Sequence, residues 1–126
     1  MHKLIIFLIL FLFSSLTHSN EIEILSDIPG NGAKIQEHYK VKVNYRGTLE
    51  NGKEFDSSYS RNQPFVFQIG LRQVIPGWEI GLMGMKIGGK RIIKIPPNLA
   101  YGSQGAGNLI PPNATLIFEI EIIDAI

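Results

Sequence analysis

Along most of this chain, apolar and polar residues alternate one for one. Val41, Val43 and Tyr45 fall on one face and Lys42, Asn44 and Arg46 on the other. Phe65, Phe67 and Ile69 repeat the period, as do Leu116, Phe118, Ile120 and Ile122 against Glu119 and Glu121. A period of two with one wet face predicts antiparallel strands. Turn dipeptides separate the runs: Pro29-Gly30, Asn31-Gly32 and, between Leu49 and Phe55, Asn51-Gly52, whose residues accept the positive φ of a tight hairpin. The alternation breaks from Pro76 to Met83, where Trp78 and Leu82 stand four apart and Pro76 supplies the fixed φ of a first helical turn. This predicts a helix of about two turns on the concave face of the sheet. Gly77, Gly81 and Gly84 weaken it in isolation, so packing must form it. The expected fold class is α+β, a twisted antiparallel sheet of about five strands wrapped around one short α-helix, with neither an internal repeat nor a second domain.

Residues 1–19 follow another pattern. Met1-His2-Lys3 is a short basic start, Leu4 to Phe13 is an unbroken apolar run, and Ser14 to Ser19 is small and polar. That is the layout of a secretory signal peptide cleaved before Asn20, and the apolar run is too short for the roughly 20 residues that span a bilayer. The expectation is an exported protein whose working part is residues 20–126, with no stable membrane insertion after cleavage. Its destination is a periplasm if the source is bacterial, otherwise an endoplasmic reticulum lumen or the medium. Lys3 leaves with the signal, and the eleven remaining Lys and Arg match eleven Asp and Glu. A neutral surface offers no counterion-release drive toward nucleic acid, so none is expected as a partner. There is no Cys, so the exported domain must rely on its core rather than on disulfides.

Few groups have reactive chemistry. Gly84 to Arg91 has glycine and lysine at phosphate-loop offsets, but Arg91 stands where a Ser or Thr is required and a strand follows where a helix should begin. Lys86, Lys90, Arg91 and Lys94 are therefore read as the solvated side of a loop and strand. With His2 and His18 in the signal, His38 is left without a second His or a Cys to build a metal site; neither metal nor cofactor is expected. Asn113-Ala114-Thr115 fits the glycosylation pattern at a strand start and is read as accidental. What stands out is an aromatic and branched set between Tyr45 and Phe118. On spacing alone, Phe55, Phe65, Phe67, Trp78 and Phe118 are core residues. Asp56, at a strand end, accepts from Ser57, Ser58 or nearby N–H groups, or pairs with Arg61.

The segments carrying these residues read Val-Asn-Tyr-Arg-Gly-Thr-Leu (43–49), Gly-Lys-Glu-Phe-Asp-Ser-Ser (52–58), Gln-Val-Ile-Pro-Gly-Trp-Glu-Ile-Gly-Leu (73–82), Leu-Ala-Tyr-Gly (99–102) and Leu-Ile-Pro-Pro-Asn-Ala-Thr-Leu-Ile-Phe (109–118). In order and spacing they closely resemble the FKBP-type peptidyl-prolyl isomerase domain, from about Ile22 to the C-terminus. The resemblance implies isomerisation of Xaa-Pro bonds in unfolded or partly folded polypeptides, without a cofactor, by a monomer that rapamycin-type macrolides inhibit. It also assigns roles. Trp78 is the floor of a substrate pocket and Tyr45, Phe55, Phe65 and Phe118 its walls. Val74 and Ile75 form one lip, with the Ile75 N–H a donor, and the loop from Tyr101 through Leu109 to Ile110 forms the other. Asp56 is the pocket carboxylate, held by Tyr45 and Arg61, and the Tyr101 hydroxyl donates to a substrate carbonyl. The catalytic set is thus Asp56, Tyr101 and Ile75.

Such a reaction needs no nucleophile, which fits this residue set. This sequence departs from the family's usual pattern at Gly105-Ala106-Gly107-Asn108, a small and flexible tip where relatives carry a bulkier one, at Gln73 and Pro76, and in Val-Asn-Tyr-Arg. These departures bear on binding strength and sequence preference. Two rivals remain: a non-catalytic holdase using the same groove, and a ligand-carrying barrel, which would need an internal cavity that one helix against one sheet fills.

Overall fold

The computed structural model describes residues 21–126; the segment 1–19 read as a signal peptide lies outside them. Strands β1 (Glu23–Ile28), β2 (Lys40–Leu49), β3 (Glu54–Ser57), β4 (Phe65–Gln68), β5 (Lys90–Ile95) and β6 (Leu116–Ala125) form one sheet. Among the described residues, the other regular elements are one α-helix, α1 (Pro76–Gly81), and 3-10 turns at Pro97–Leu99 and Gly102–Gln104. The sheet order is β1-β5-β6-β2-β3, with β4 also paired to β2, and every pairing is antiparallel. The count is six where about five were expected, because one lane of the sheet is split. β3 runs beside Arg46–Thr48 and β4 beside Lys40–Val43, and the turns between Ser58 and Pro64 interrupt what would be one long strand.

The strand alternation sets the core. Register pairs Val43 with Ile122, Tyr45 with Ile120 and Gly47 with Phe118, then Ile93 with Phe118 and Ile95 with Leu116. All of these side chains point to one face and are buried there. Each such aliphatic contributes about 1.5–3 kcal/mol through burial. The Asn51-Gly52 turn closes β2 onto β3 as expected: Gly52 has φ 90°, and the Lys53 N–H donates to Asn51 Oδ1 at 2.9 Å.

Helix α1 lies across this face. Pro76 opens it, Trp78 and Leu82 point inward, and Ile80 faces solvent. The glycines that weaken the helix in isolation are what let it sit on β5. A Cβ at Gly77 would lie 2.5 Å from Ile95 Cγ2, and one at Gly81 2.6 Å from Ile93 Cδ1. Packing thus offsets the propensity cost, as the sequence required.

Arg91 corrects the sequence reading, which placed it on the solvated side. It pairs with Ile120 and so shares the inner face with Ile93, where it is only 7% exposed. Its guanidinium donates to the carbonyls of Gly81, the last residue of α1, and Met83 at 2.8 and 2.9 Å, and to Asp27 on β1. A cation there satisfies carbonyls that a helix C-terminus leaves unpaired. Five donors in a rigid fork make Arg able to do this where Lys could not.

Candidate functional site

The cavity sits where the start of α1 meets the inner face of β2, β3, β4 and β6. It encloses about 450 Å³ and is lined by Tyr45, Phe55, Asp56, Phe65, Gln73, Val74, Ile75, Trp78, Tyr101 and Phe118. Trp78 is the hub. Its ring meets Tyr45 edge-on at 5.0 Å and 83°, Phe118 at 5.3 Å and 89°, and Phe67 at 5.6 Å and 62°. Such T-shaped pairs fix ring orientation and add about 0.5–1.5 kcal/mol each beyond area burial. Phe55 stands edge-on to Phe118 at 5.5 Å. The two rings approach because residue 47 is glycine: a Cβ there would lie 2.6 Å from Phe55 Cζ and 2.8 Å from Phe118 Cε1.

The polar half of the site is a closed set. Tyr45 Oη donates to Asp56 Oδ2 at 2.5 Å and accepts from Arg61 Nη2 at 2.9 Å. Asp56 Oδ1 accepts from the Ser57 N–H at 2.9 Å and from Arg61 Nη1. Arg61 does not itself line the cavity. It lies over the outside of the Tyr45 ring, 5.6 Å from the centroid, and acts on the site through Tyr45 and Asp56. Behind them, the buried Ser58 hydroxyl accepts from the Tyr45 N–H at 2.8 Å and donates to Asn44 Oδ1, pinning the β2 backbone at the site. Burial, and then the bond to Asp56, hold the Tyr45 hydroxyl above its ordinary pKa. Burial and the Asp56 charge do the same for Tyr101. Both phenols are therefore protonated donors at neutral pH. Arg61 is pushed up from an already high value, first by its bond to Tyr45 and then by Asp56.

Nine of the residues nominated from sequence thus share one cavity: Tyr45, Phe55, Asp56, Phe65, Val74, Ile75, Trp78, Tyr101 and Phe118. Leu109 and Ile110 do not line it. Leu109 is 53% exposed at a loop tip and Ile110 is buried in the core. The small tip is also tied down, by reciprocal backbone bonds between Ala106 and Ile110 of 2.9 and 3.1 Å. Two residues of the site escaped sequence reasoning as working parts: Gly47, beneath the rings, and Gln73, at the mouth. The motif containing Gln73 was noticed, but no periodicity tells where a loop side chain points.

Among the described residues, the Asp56 carboxylate is engaged on both oxygens and several donors of the site are not. The Ile75 N–H, the Tyr101 hydroxyl and the Gln73 carboxamide nitrogen donate to no protein group, and Trp78 Nε1 is buried without a partner. An aromatic enclosure with unpartnered donors fits an apolar ring flanked by carbonyl groups, and its lining holds no Ser, Thr, Cys, Lys or His. Such a lining suits a site that holds a cyclic, carbonyl-bearing group without covalent chemistry.

Comparison with known proteins agrees. The profile of the FKBP-type peptidyl-prolyl cis-trans isomerase family matches residues 31–123, and the chain belongs to that family. It is 59% identical to FK506-binding protein 2 of Candida glabrata over 85 residues, which is 67% of this chain and 62% of that protein. It is 50% identical to the FK506-binding protein of Neisseria meningitidis serogroup A over 94 residues, 75% of this chain and 86% of the relative. The crystal structure of AtFKBP13 superposes with a TM-score of 0.75 at 41% identity, covering 83% of this chain and 91% of that one. FkpA from Escherichia coli gives 0.72 at 46% identity, covering 82% of this chain and 46% of that one. The alignment spans only about six-tenths of the Candida relative's length.

Proposed function

We propose that this chain is a peptidyl-prolyl cis-trans isomerase that assists the folding of exported proteins, acting as a monomer on proline-containing, unfolded or partly folded polypeptides. The observation that carries this reading is the aromatic cavity whose one carboxylate is engaged by three donors, while the Ile75 N–H, the Tyr101 hydroxyl and Trp78 Nε1 donate to no protein group. The C–N bond resists rotation by about 18–20 kcal/mol through resonance, and uncatalysed Xaa-Pro exchange takes roughly tens to hundreds of seconds. Twisting removes that resonance and leaves a less polar amide, which an enclosing wall of Trp78, Phe55, Phe65 and Phe118 favours over the planar, hydrated ground state. Each ~1.36 kcal/mol of such preference is tenfold in rate.

The polar groups supply orientation. The Ile75 N–H and Tyr101 Oη–H take substrate carbonyls, and Asp56, immobilised by three donors, adds a fixed field beside the rotating bond. The export role rests on the pattern of residues 1–19. Rapamycin-type macrolides carry a pipecolyl ring with adjacent carbonyls, the chemistry this cavity fits, and should compete for it.

The test is exchange at Leu-Pro or Phe-Pro bonds, measured by NMR or a protease-coupled assay on residues 20–126 in excess chelator. Catalysis is expected, with competition by macrolide read in Trp78 fluorescence. Stoichiometric suppression of client aggregation without exchange catalysis would make the protein a holdase and sink the reading. Macrolide binding that leaves exchange untouched, or inhibition that leaves Trp78 fluorescence undisturbed, would overturn the site assignment.

A further inference from the structure

Gln73 lies in the loop between β4 and α1, a residue before Val74 and Ile75, and lines the cavity mouth. Its Oε1 accepts from the Gln68 N–H at 2.9 Å. A backbone amide can only donate, so this bond fixes which end of the carboxamide is oxygen and turns the NH2 end away from β4. Among the described residues that nitrogen has no partner. The loop is braced again by Glu79 of α1, whose Oε2 accepts from the Gly70 N–H at 2.9 Å. The donor is therefore held, although its side chain is open to solvent.

The geometry points to Gln73 as a specificity-determining residue: it donates to an acceptor on the peptide just outside the Xaa-Pro pair, and so selects chains carrying Asp, Glu or Asn there over Lys or Arg. The inference rests on the isomerase reading above. Of the other unpartnered donors, the Ile75 N–H and the Tyr101 hydroxyl are assigned above to carbonyls of the bound chain, and Trp78 Nε1 is buried. The one carboxylate of the lining, Asp56, is matched by Arg61 and bonded to Tyr45 and Ser57, so it offers an incoming cation little. A peptide acceptor at the mouth thus meets a fixed donor, and a peptide cation meets no unpaired carboxylate of the lining.

Gln73→Glu tests this with the fewest other changes. A glutamate still accepts from the Gln68 N–H, so the loop anchor and thermal stability are retained, while the outward NH2 becomes an anionic oxygen. Two peptide series around one Leu-Pro pair would vary the residue preceding leucine or the one following proline among Glu, Asn, Ala and Lys. The parent protein should favour Glu and Asn over Lys in at least one series, and Gln73→Glu should reverse that order with a change of about fivefold to tenfold in the ratio. Arg72→Gln shifts the charge equally at a neighbour that does not line the cavity, and should leave the ratio as it was. Ratios that agree between the parent and Gln73→Glu, or that move equally in Arg72→Gln, overturn the inference. Binding ratios from Trp78 fluorescence are read alongside exchange rates. If no peptide is isomerised, the proposed function fails, and the binding ratios still decide the role of Gln73.

Discussion

Replacing Tyr45 by Phe keeps the ring that packs at 5.0 Å against Trp78 and removes only the hydroxyl that joins Asp56 to Arg61. Bonds to charged groups contribute about 1.5–3 kcal/mol each. The full figure does not apply, because side chains of Asp56 and Arg61 are 40% and 48% exposed and water replaces part of what is lost. Asp56 also keeps the Ser57 N–H and Arg61. A loss of about 1–2 kcal/mol remains, or about 5–10 °C in Tm for a domain of this size. The carboxylate loses one of three anchors, so kcat/KM should fall by about tenfold while peptide affinity changes less. Urea unfolding of the parent, Tyr45→Phe, Asp56→Ala and the double variant gives the coupling energy, expected at about 1 kcal/mol. A coupling below about 0.3 kcal/mol, the error of additivity, would show that the hydroxyl and the carboxylate do not act together and would refute this account of the polar half.

Three more outcomes follow from the same geometry. Tyr45 and Tyr101 have folded-state pKa values raised above 10.0, so the stability they contribute is complete below pH 10 and is lost as pH rises through the folded values; denaturant midpoints measured from pH 8 to 11 should fall above 10, less steeply in Tyr45→Phe. Gly47→Ala should cost about 1–3 kcal/mol and lower activity, since its methyl would displace Phe55 and Phe118; parent-like stability and exchange rates would show that the two rings are not seated on residue 47. Tyr101→Phe should reduce kcat/KM with modest loss of peptide binding, whereas Trp78→Ala should weaken both and destabilise by about 3–5 kcal/mol; parent-like exchange in Tyr101→Phe would remove that hydroxyl from the mechanism.

What could be read in the sequence was whatever a fixed period dictates. Parity along β2 and β6 put Val43 and Tyr45 opposite Ile122 and Ile120 on one face, and the four-residue step from Trp78 to Leu82 aimed both at that face. Arg91 was misplaced although the same parity applies to it: two positions before Ile93, it had to point inward. Its charge argued for solvent, and only the third dimension supplies the carbonyls of Gly81 and Met83 that make burial tolerable. Splitting of the fifth lane into β3 and β4 was hidden for a similar reason, since Ser58 breaks the pairing by bonding to Tyr45 and Asn44.

The mouth of the cavity obeys no period, and there the sequence reading diverged most. The loop carrying Leu109 and Ile110 follows the 3-10 turn after Tyr101, and its path is fixed by the Ala106–Ile110 backbone pair, which buries Ile110 and leaves Leu109 in solvent. Gln73 sits in a loop with two positive-φ positions, Gly70 and Arg72, so its direction follows from its bond to Gln68 and not from its neighbours. A consequence follows for how such a site can vary. The floor and walls are tied to the core through Trp78, Tyr45 and Phe118, and a change there costs stability. Gln73 and the 105–109 tip are held by a few hydrogen bonds, so these positions can change without loosening the aromatic rings of the floor and walls.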